Sequence, residues 1–130
     1  MSIESLTAQL RDFAQDRDWE QFHSPKNLTM ALSGEAGELL SLFQWLREEQ
    51  LGEWFNEPPN RTAVEHEMAD VFGYLLRLAD VLDVDLEAAL RAKIDLNEQK
   101  YPVELARGNA LKYTVLAGRG AAGGQPRTHP

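Results

Sequence analysis

The chain has 130 residues, with 13 basic and 21 acidic side chains, a net charge of −8 and no cysteine. That length fits one domain with a core of its own. The missing cysteines exclude disulfides, thiolate-bound zinc and thiol catalysis, so any metal must be held by carboxylates or by the 3 histidines. The acidic balance argues against duplex nucleic acid or an anionic membrane as partner, because a phosphate surface demands a basic face. No segment is long and apolar enough to span a bilayer. The opening residues Met1-Ser2-Ile3-Glu4 lack the basic and apolar regions of a signal peptide. A cytoplasmic location is therefore expected.

No β-branched run alternates with period two, so an all-α fold is predicted. A first helix is expected over Ser2 to Asp18, with Ile3, Leu6, Leu10 and Phe13 on one stripe. The segment from Asp18 to His23 reads as a connector rich in aromatic residues. Ser24-Pro25 then supplies an N-cap and a proline at the first helical position. The second helix is expected from Pro25 to about Glu49, and its dense apolar positions suggest burial on several sides. Gln50 to Asn60 reads as a polar loop, with Gly52, Pro58 and Pro59 breaking the pattern.

Thr62-x-x-Glu65 resembles a capping box opening the third helix, which ends near Leu82. Asp83-Val84-Asp85 supplies a turn and a cap. The fourth helix runs from Leu86 to Lys100 and stops before Pro102. Residues 115–130 are rich in glycine and read as a flexible tail behind a 1–114 domain. The expected architecture is a helical bundle, whose ligand sites are built from side chains on facing helices.

Four acids interrupt apolar stripes. Glu35 and Glu38 share a helix face with Leu28, Ala31, Leu32, Leu39 and Leu42. Glu67 and Asp70 repeat the spacing on the third helix, beside Ala63, Val64, Val71 and Tyr74. Carboxylates meeting in an apolar bundle repel one another, so either their pKa values rise or cations hold them. Oxygen-only ligation suits magnesium, with manganese as a substitute. Magnesium keeps several waters and shares phosphates with substrate, which points to phosphoryl chemistry. Gly34 and Gly37 flank the first pair and Gly73 follows the second. They leave room either for a ligand or for close helix packing.

Lys93, Asn97, Lys100 and Tyr101 share one face of the fourth helix, either as a solvated basic face or as donors to phosphate oxygens. Trp19, Phe22, His23 and Trp45 are aromatic groups that would stack on a base or belong to the core. His66 points away from Glu67 and reads as a surface or interface residue. Position 63 is alanine, so the Glu-x-x-His motif of di-iron bundles is absent. No GxxxxGK loop is present.

Taken together, these motifs resemble the all-α nucleoside triphosphate pyrophosphatases, the MazG-like group, and within it the dCTP pyrophosphatase branch. The carriers are Arg17 to His23, Gly34-Glu35-Ala36-Gly37-Glu38-Leu39, Leu42-Phe43-Gln44-Trp45 and Glu67-x-x-Asp70 with Val71 and Tyr74. Lys93-x-x-x-Asn97-x-x-Lys100-Tyr101-Pro102 and Leu111-Lys112-Tyr113-Thr114 complete the set. The resemblance implies a four-helix fold assembled as a homotetramer, a dimer of dimers. It implies magnesium-dependent hydrolysis of a nucleoside triphosphate, dCTP or a modified dCTP, to the monophosphate and pyrophosphate.

By the same resemblance, Glu35, Glu38, Glu67 and Asp70 hold the metals and are the catalytic acids. Lys93, Asn97 and Lys100 contact substrate, and Trp19, His23, Trp45 and Tyr74 surround the nucleoside, with Tyr101 beside the basic residues. The chain departs from the family at His66, where another acid is common, and follows no family pattern from Arg47 to Asn60. The same chemistry on another nucleotide such as dUTP, or a non-catalytic nucleotide-binding helical oligomer, are the alternatives.

Overall fold

The computed structural model describes residues 2–121. Among them every regular element is helical. The chain forms two compact units, Met1–Val84 and Asp85–Pro130.

In the first unit, α1 spans Ile3–Asp16. Ser2 caps it, accepting from the Ser5 amide while the Ser5 hydroxyl accepts from the Ser2 amide, both at 3.1 Å. The chain leaves α1 through Asp18, a non-glycine residue held at φ 56°. Gln21 supports that turn, donating to the Asp18 carbonyl and carboxylate at 3.0 Å each. A 3-10 turn, Glu20–Phe22, completes the connector.

Helix α2 spans Pro25–Phe43, with the Ser24 side chain accepting from the Asn27 amide and Pro25 in the first turn, as expected. It stops at Phe43 rather than Glu49. The expected loop from Gln50 to Asn60 contains a helix instead: α3, Glu48–Asn56. Arg47 turns extended ahead of it, and its amide donates to the Gln50 side chain at 2.9 Å. Glu48 and Glu49 then sit at the positive end of the helix dipole. Leu51, Trp54 and Phe55 recur at helical spacing, and Trp54 meets Phe43 edge-on at 5.8 Å between ring centroids.

Pro58 and Pro59 do not break a helix; they open α4, Pro58–Leu82. Their missing amides fall where the first turn has no use for them. The expected capping box at Thr62 lies inside α4, where Glu65 pairs with Arg61 at 2.9 Å. Asp83 ends α4 in the left-handed region, φ 55° and ψ 46°, which an aspartate tolerates better than most residues. α4 is the central helix of this unit and packs against α1, α2 and α3. Its core holds Ala14, Leu28, Val64, Leu76 and Ala79.

α2 is less buried than its composition suggests. Leu28 is its buried residue, while Met30 and Leu40 are 61% and 62% exposed. On α4, Met68 and Phe72 are exposed as well. No helix of the described residues is long and apolar enough to cross a membrane.

The second unit contains α5, Leu86–Lys100, α6, Val103–Ala106, and α7, Tyr113–Ala121. Asp85 caps α5 by accepting from the Ala88 amide at 3.0 Å. α7 packs against α5 and α6, and Leu116 is fully buried there. The expected boundary between a domain ending at 114 and a tail beginning at 115 therefore falls inside a helix. Residues 122–130 of that tail lie outside the described residues.

Candidate active site

α2 and α4 run against each other, with Glu35 and Glu38 on the first and Glu67 and Asp70 on the second. Three carboxylates converge: oxygens of Glu35, Glu38 and Glu67 all lie within 4.8 Å of one another. Glu35 and Glu67 are half-buried, and Glu38 and Asp70 are exposed. One oxygen of Glu35, Oε2, and one of Glu67, Oε2, are shut off from solvent with no hydrogen-bond partner. Buried polar atoms almost always have partners, so two orphans at one point need an explanation.

Ionised carboxylates carry no donor, so these two can satisfy each other only by taking up a proton or by sharing a cation. The proton alternative is visible in the Glu35 carboxyl, pushed up to about 7. Its main cause is the hydrogen bond to Glu67 that a proton would allow, followed by burial and by Glu38 and Asp70 nearby. Carboxylate oxygens alone form a donor set for a hard divalent ion. The orphaned oxygens and that donor set fit a metal better than they fit an apolar core.

The glycines around the acids face open space. A Cβ built at Gly34, Gly37 or Gly73 meets nothing within 4 Å. Close packing within the chain therefore does not account for them.

Next to the acids lies a cavity of about 260 Å³. Asp70, one turn beyond Glu67 on α4, lines it together with Tyr74, Trp19 and His23. Four expected site residues are thus brought to one place. The Trp19 ring packs edge-on against Phe13, another lining residue, at 5.8 Å and 68°. The Phe13 ring is covered in turn by the Arg17 guanidinium at 3.5 Å. An aromatic-walled cavity bordered by the Asp70 carboxylate suits a flat, polar-edged group beside a cation.

Trp45 does not line this cavity and is 86% exposed. Lys93, Asn97, Lys100 and Tyr101 belong to the second unit. Lys93 and Asn97 are exposed. The Lys100 ammonium rests 4.6 Å over the Tyr113 ring, and Tyr101 meets the same ring edge-on at 6.5 Å. His66 is exposed, in keeping with a surface position.

The sequence reading missed Arg77, the polar residue of this cavity wall that is most buried, at 7% exposure. It donates to Asp80 Oδ2 at 2.8 Å and to His23 Nδ1 at 3.1 Å. Asp80 also accepts two bonds from Arg11 of α1. The available signal was an arginine and an aspartate three apart inside the apolar run Tyr74 to Leu82.

Residues 30–116 match the MazG-like family. A curated rat protein named dCTP pyrophosphatase 1 is 47% identical over 115 residues, which is 88% of this chain and 68% of the rat protein. The human protein of the same name is 44% identical over the same shares. Among solved structures, a pyrophosphatase of Archaeoglobus fulgidus superposes with a TM-score of 0.72 at 41% identity. That alignment covers 76% of this chain and 91% of the archaeal one. With its acid pairs on facing helices and a family match over most of its length, the chain belongs to the MazG-like family.

Proposed function

We propose that the protein is a nucleoside triphosphate pyrophosphohydrolase that converts dCTP, or a modified dCTP, to dCMP and pyrophosphate. The observation that carries this reading is the convergence of Glu35, Glu38 and Glu67 with two orphaned oxygens. The identity to proteins named dCTP pyrophosphatase 1 supports the base and the reaction.

Glu35, Glu38, Glu67 and Asp70 would hold a divalent ion, magnesium or manganese, for which carboxylate oxygens are the fitting donors. When bound, such an ion supplies charge neutralisation on phosphate and a more acidic water. Glu38 is exposed and stands at the edge of the cluster, so we assign it the task of orienting or deprotonating the attacking water. The half-buried Glu35 and Glu67 fix the position of the cluster between α2 and α4.

Trp19 and Tyr74 would flank the base, with His23 at its edge. Lys93, Asn97 and Lys100 recur at spacings of four and three on α5, a single face suited to phosphate oxygens, and we assign them that contact. Tyr101 and Trp45 remain in the proposed substrate-binding set.

A homotetramer, arranged as a dimer of dimers, is part of this reading. It is supported by the exposed Met30, Leu40, Met68 and Phe72 on the α2 and α4 pair. The expected cytoplasmic location suits an enzyme acting on free nucleotides.

Phosphorus NMR of dCTP incubated with the protein and magnesium tests the reaction. Pyrophosphate and dCMP are the expected products. Production of dCDP and free phosphate, or no turnover across a nucleotide panel, would overturn it.

A further inference from the structure

The side chains around His23 carry more information than its place beside the cavity. The ring meets Arg77, whose Nε–H donates to His23 Nδ1 at 3.1 Å. Arg77 cannot act as an acceptor or lose its proton. Nδ1 must therefore be a bare lone pair, and the single proton of a neutral imidazole must sit on Nε2. The alternative tautomer would set N–H against N–H. The imidazolium would do the same and add a second positive charge beside a buried guanidinium.

The guanidinium is itself held in place. Asp80 Oδ2 accepts from Arg77 Nη1 at 2.8 Å, and Arg77 is flanked by Glu20 at 3.8 Å. Asp80 is also tied to Arg11 of α1, so the clamp spans two helices. Arg77, Asp80, Glu20 and Arg11 are the charged groups of this network. The pKa of the ring is lowered from 6.5, through burial first and Arg77 second, against a smaller opposing pull from Glu20.

We propose that Arg77 is a positioning residue that locks His23 as the Nε2–H tautomer, so that the ring offers the cavity a hydrogen-bond donor for an acceptor edge of a nucleobase. The base-binding half of this inference rests on the pyrophosphohydrolase reading; the tautomer half does not. A ring free to switch tautomer would accept as well as donate, and a charged ring would donate from both nitrogens. Fixing it makes His23 favour carbonyl and bare ring-nitrogen acceptors and reject an N–H at that edge.

Long-range nitrogen–proton NMR of the native protein at pH 7 tests the tautomer directly. The expected spectrum shows His23 neutral with its proton on Nε2; an Nδ1–H tautomer or an imidazolium overturns the proposal. Arg77→Met, which keeps much of the buried stem, should give a mixture of tautomers. It should raise the KM for dCTP by the reciprocal of the remaining Nε2–H fraction, about twofold for an even mixture, with kcat changed less than twofold.

Arg77→Lys keeps the charge and one donor at a time, and should recover part of the KM. A folded Arg77→Met protein with the native tautomer and native KM overturns the proposal. If Arg77→Met does not fold, the native spectrum and Arg77→Lys decide. Because the tautomer is read without turnover, a native protein that proves inactive counts against the pyrophosphohydrolase reading while the spectrum still decides the lock.

Discussion

Glu35 and Glu67 face each other from α2 and α4 with oxygens within 4.8 Å, and each leaves one oxygen out of solvent without a partner. Either a proton or a cation must sit between such groups, and this competition sets the pH behaviour. The Glu35 carboxyl is raised from 4.5 to about 7, so in the metal-free protein the folded state holds the proton over that window while the unfolded chain has lost it. Metal-free stability should therefore fall as pH rises from about 4.5 to 7. A divalent ion replaces the proton, so binding should release protons and weaken below about pH 7. Calorimetry of magnesium binding in buffers of different ionisation enthalpy would show this release. Binding with no proton release at pH 6 would contradict the shared-site account.

Glu38 differs from Glu35 and Glu67 in being exposed, so its removal should affect chemistry more than folding. Glu38→Gln keeps the shape and hydrogen-bonding capacity of the side chain but not its charge. We expect turnover of dCTP to drop at least about a hundredfold, the scale of losing a general base or a metal-holding group, with the helical circular dichroism unchanged. Near-native turnover in a folded Glu38→Gln protein would remove Glu38 from the reaction.

Much of this site was legible in the sequence, because acids three apart on apolar stripes conflict with burial whatever the fold. Glu35, Glu38 and Glu67 converge for that reason, and α1, α2 and α5 begin where their serine and aspartate caps stand. The expected loop from Gln50 to Asn60 holds most of α3 and the start of α4, because its glycine and prolines do not act as breakers there. Pro58 and Pro59 are adjacent at a helix start, where proline is favoured, and α3 is short enough that three apolar residues define it. Arg77 was hidden because an arginine within a helix normally reaches solvent; only the contacts from His23 and Asp80 show it buried. The helical stretch after residue 114 was hidden by its glycines; α7 packs on α5 and α6, and Leu116 within it is fully buried.

Asp80 is 14% exposed and accepts from both Arg11 and Arg77, which hold its carboxyl below the usual carboxylate range. Its contribution to stability is present above pH 3.8 and is lost only as the pH falls below that value. Asp80→Asn would leave the buried Arg77 guanidinium with only the exposed Glu20, at 3.8 Å, as counter-charge. We expect a loss of about 3 kcal/mol in urea unfolding. Arg11→Met removes the more exposed partner, 45% accessible, and should cost much less, as an exposed ion pair does. Equal losses for the two variants would show that Arg77, and not its burial, has been misjudged as the critical charge.

Gly52 lies in the middle of α3, and a Cβ there meets nothing within 4 Å. Gly52→Ala should therefore stabilise the protein by about 0.5–1 kcal/mol, from helix propensity alone, with dCTP turnover unchanged. Gly37 also faces open space within the chain, so Gly37→Ala should stabilise by a similar amount. The two differ in position, because Gly37 lies between Glu35 and Glu38 in the turn of α2 that carries both acids, and Gly52 lies in α3. If that space admits the substrate phosphates, Gly37→Ala should raise the melting temperature while raising the KM for dCTP, a separation that Gly52→Ala does not produce. Parallel thermal melts and initial rates on the two variants would decide between room for a ligand and mere tolerance of a glycine. A Gly37→Ala protein that is more stable and kinetically native would take away the ligand role.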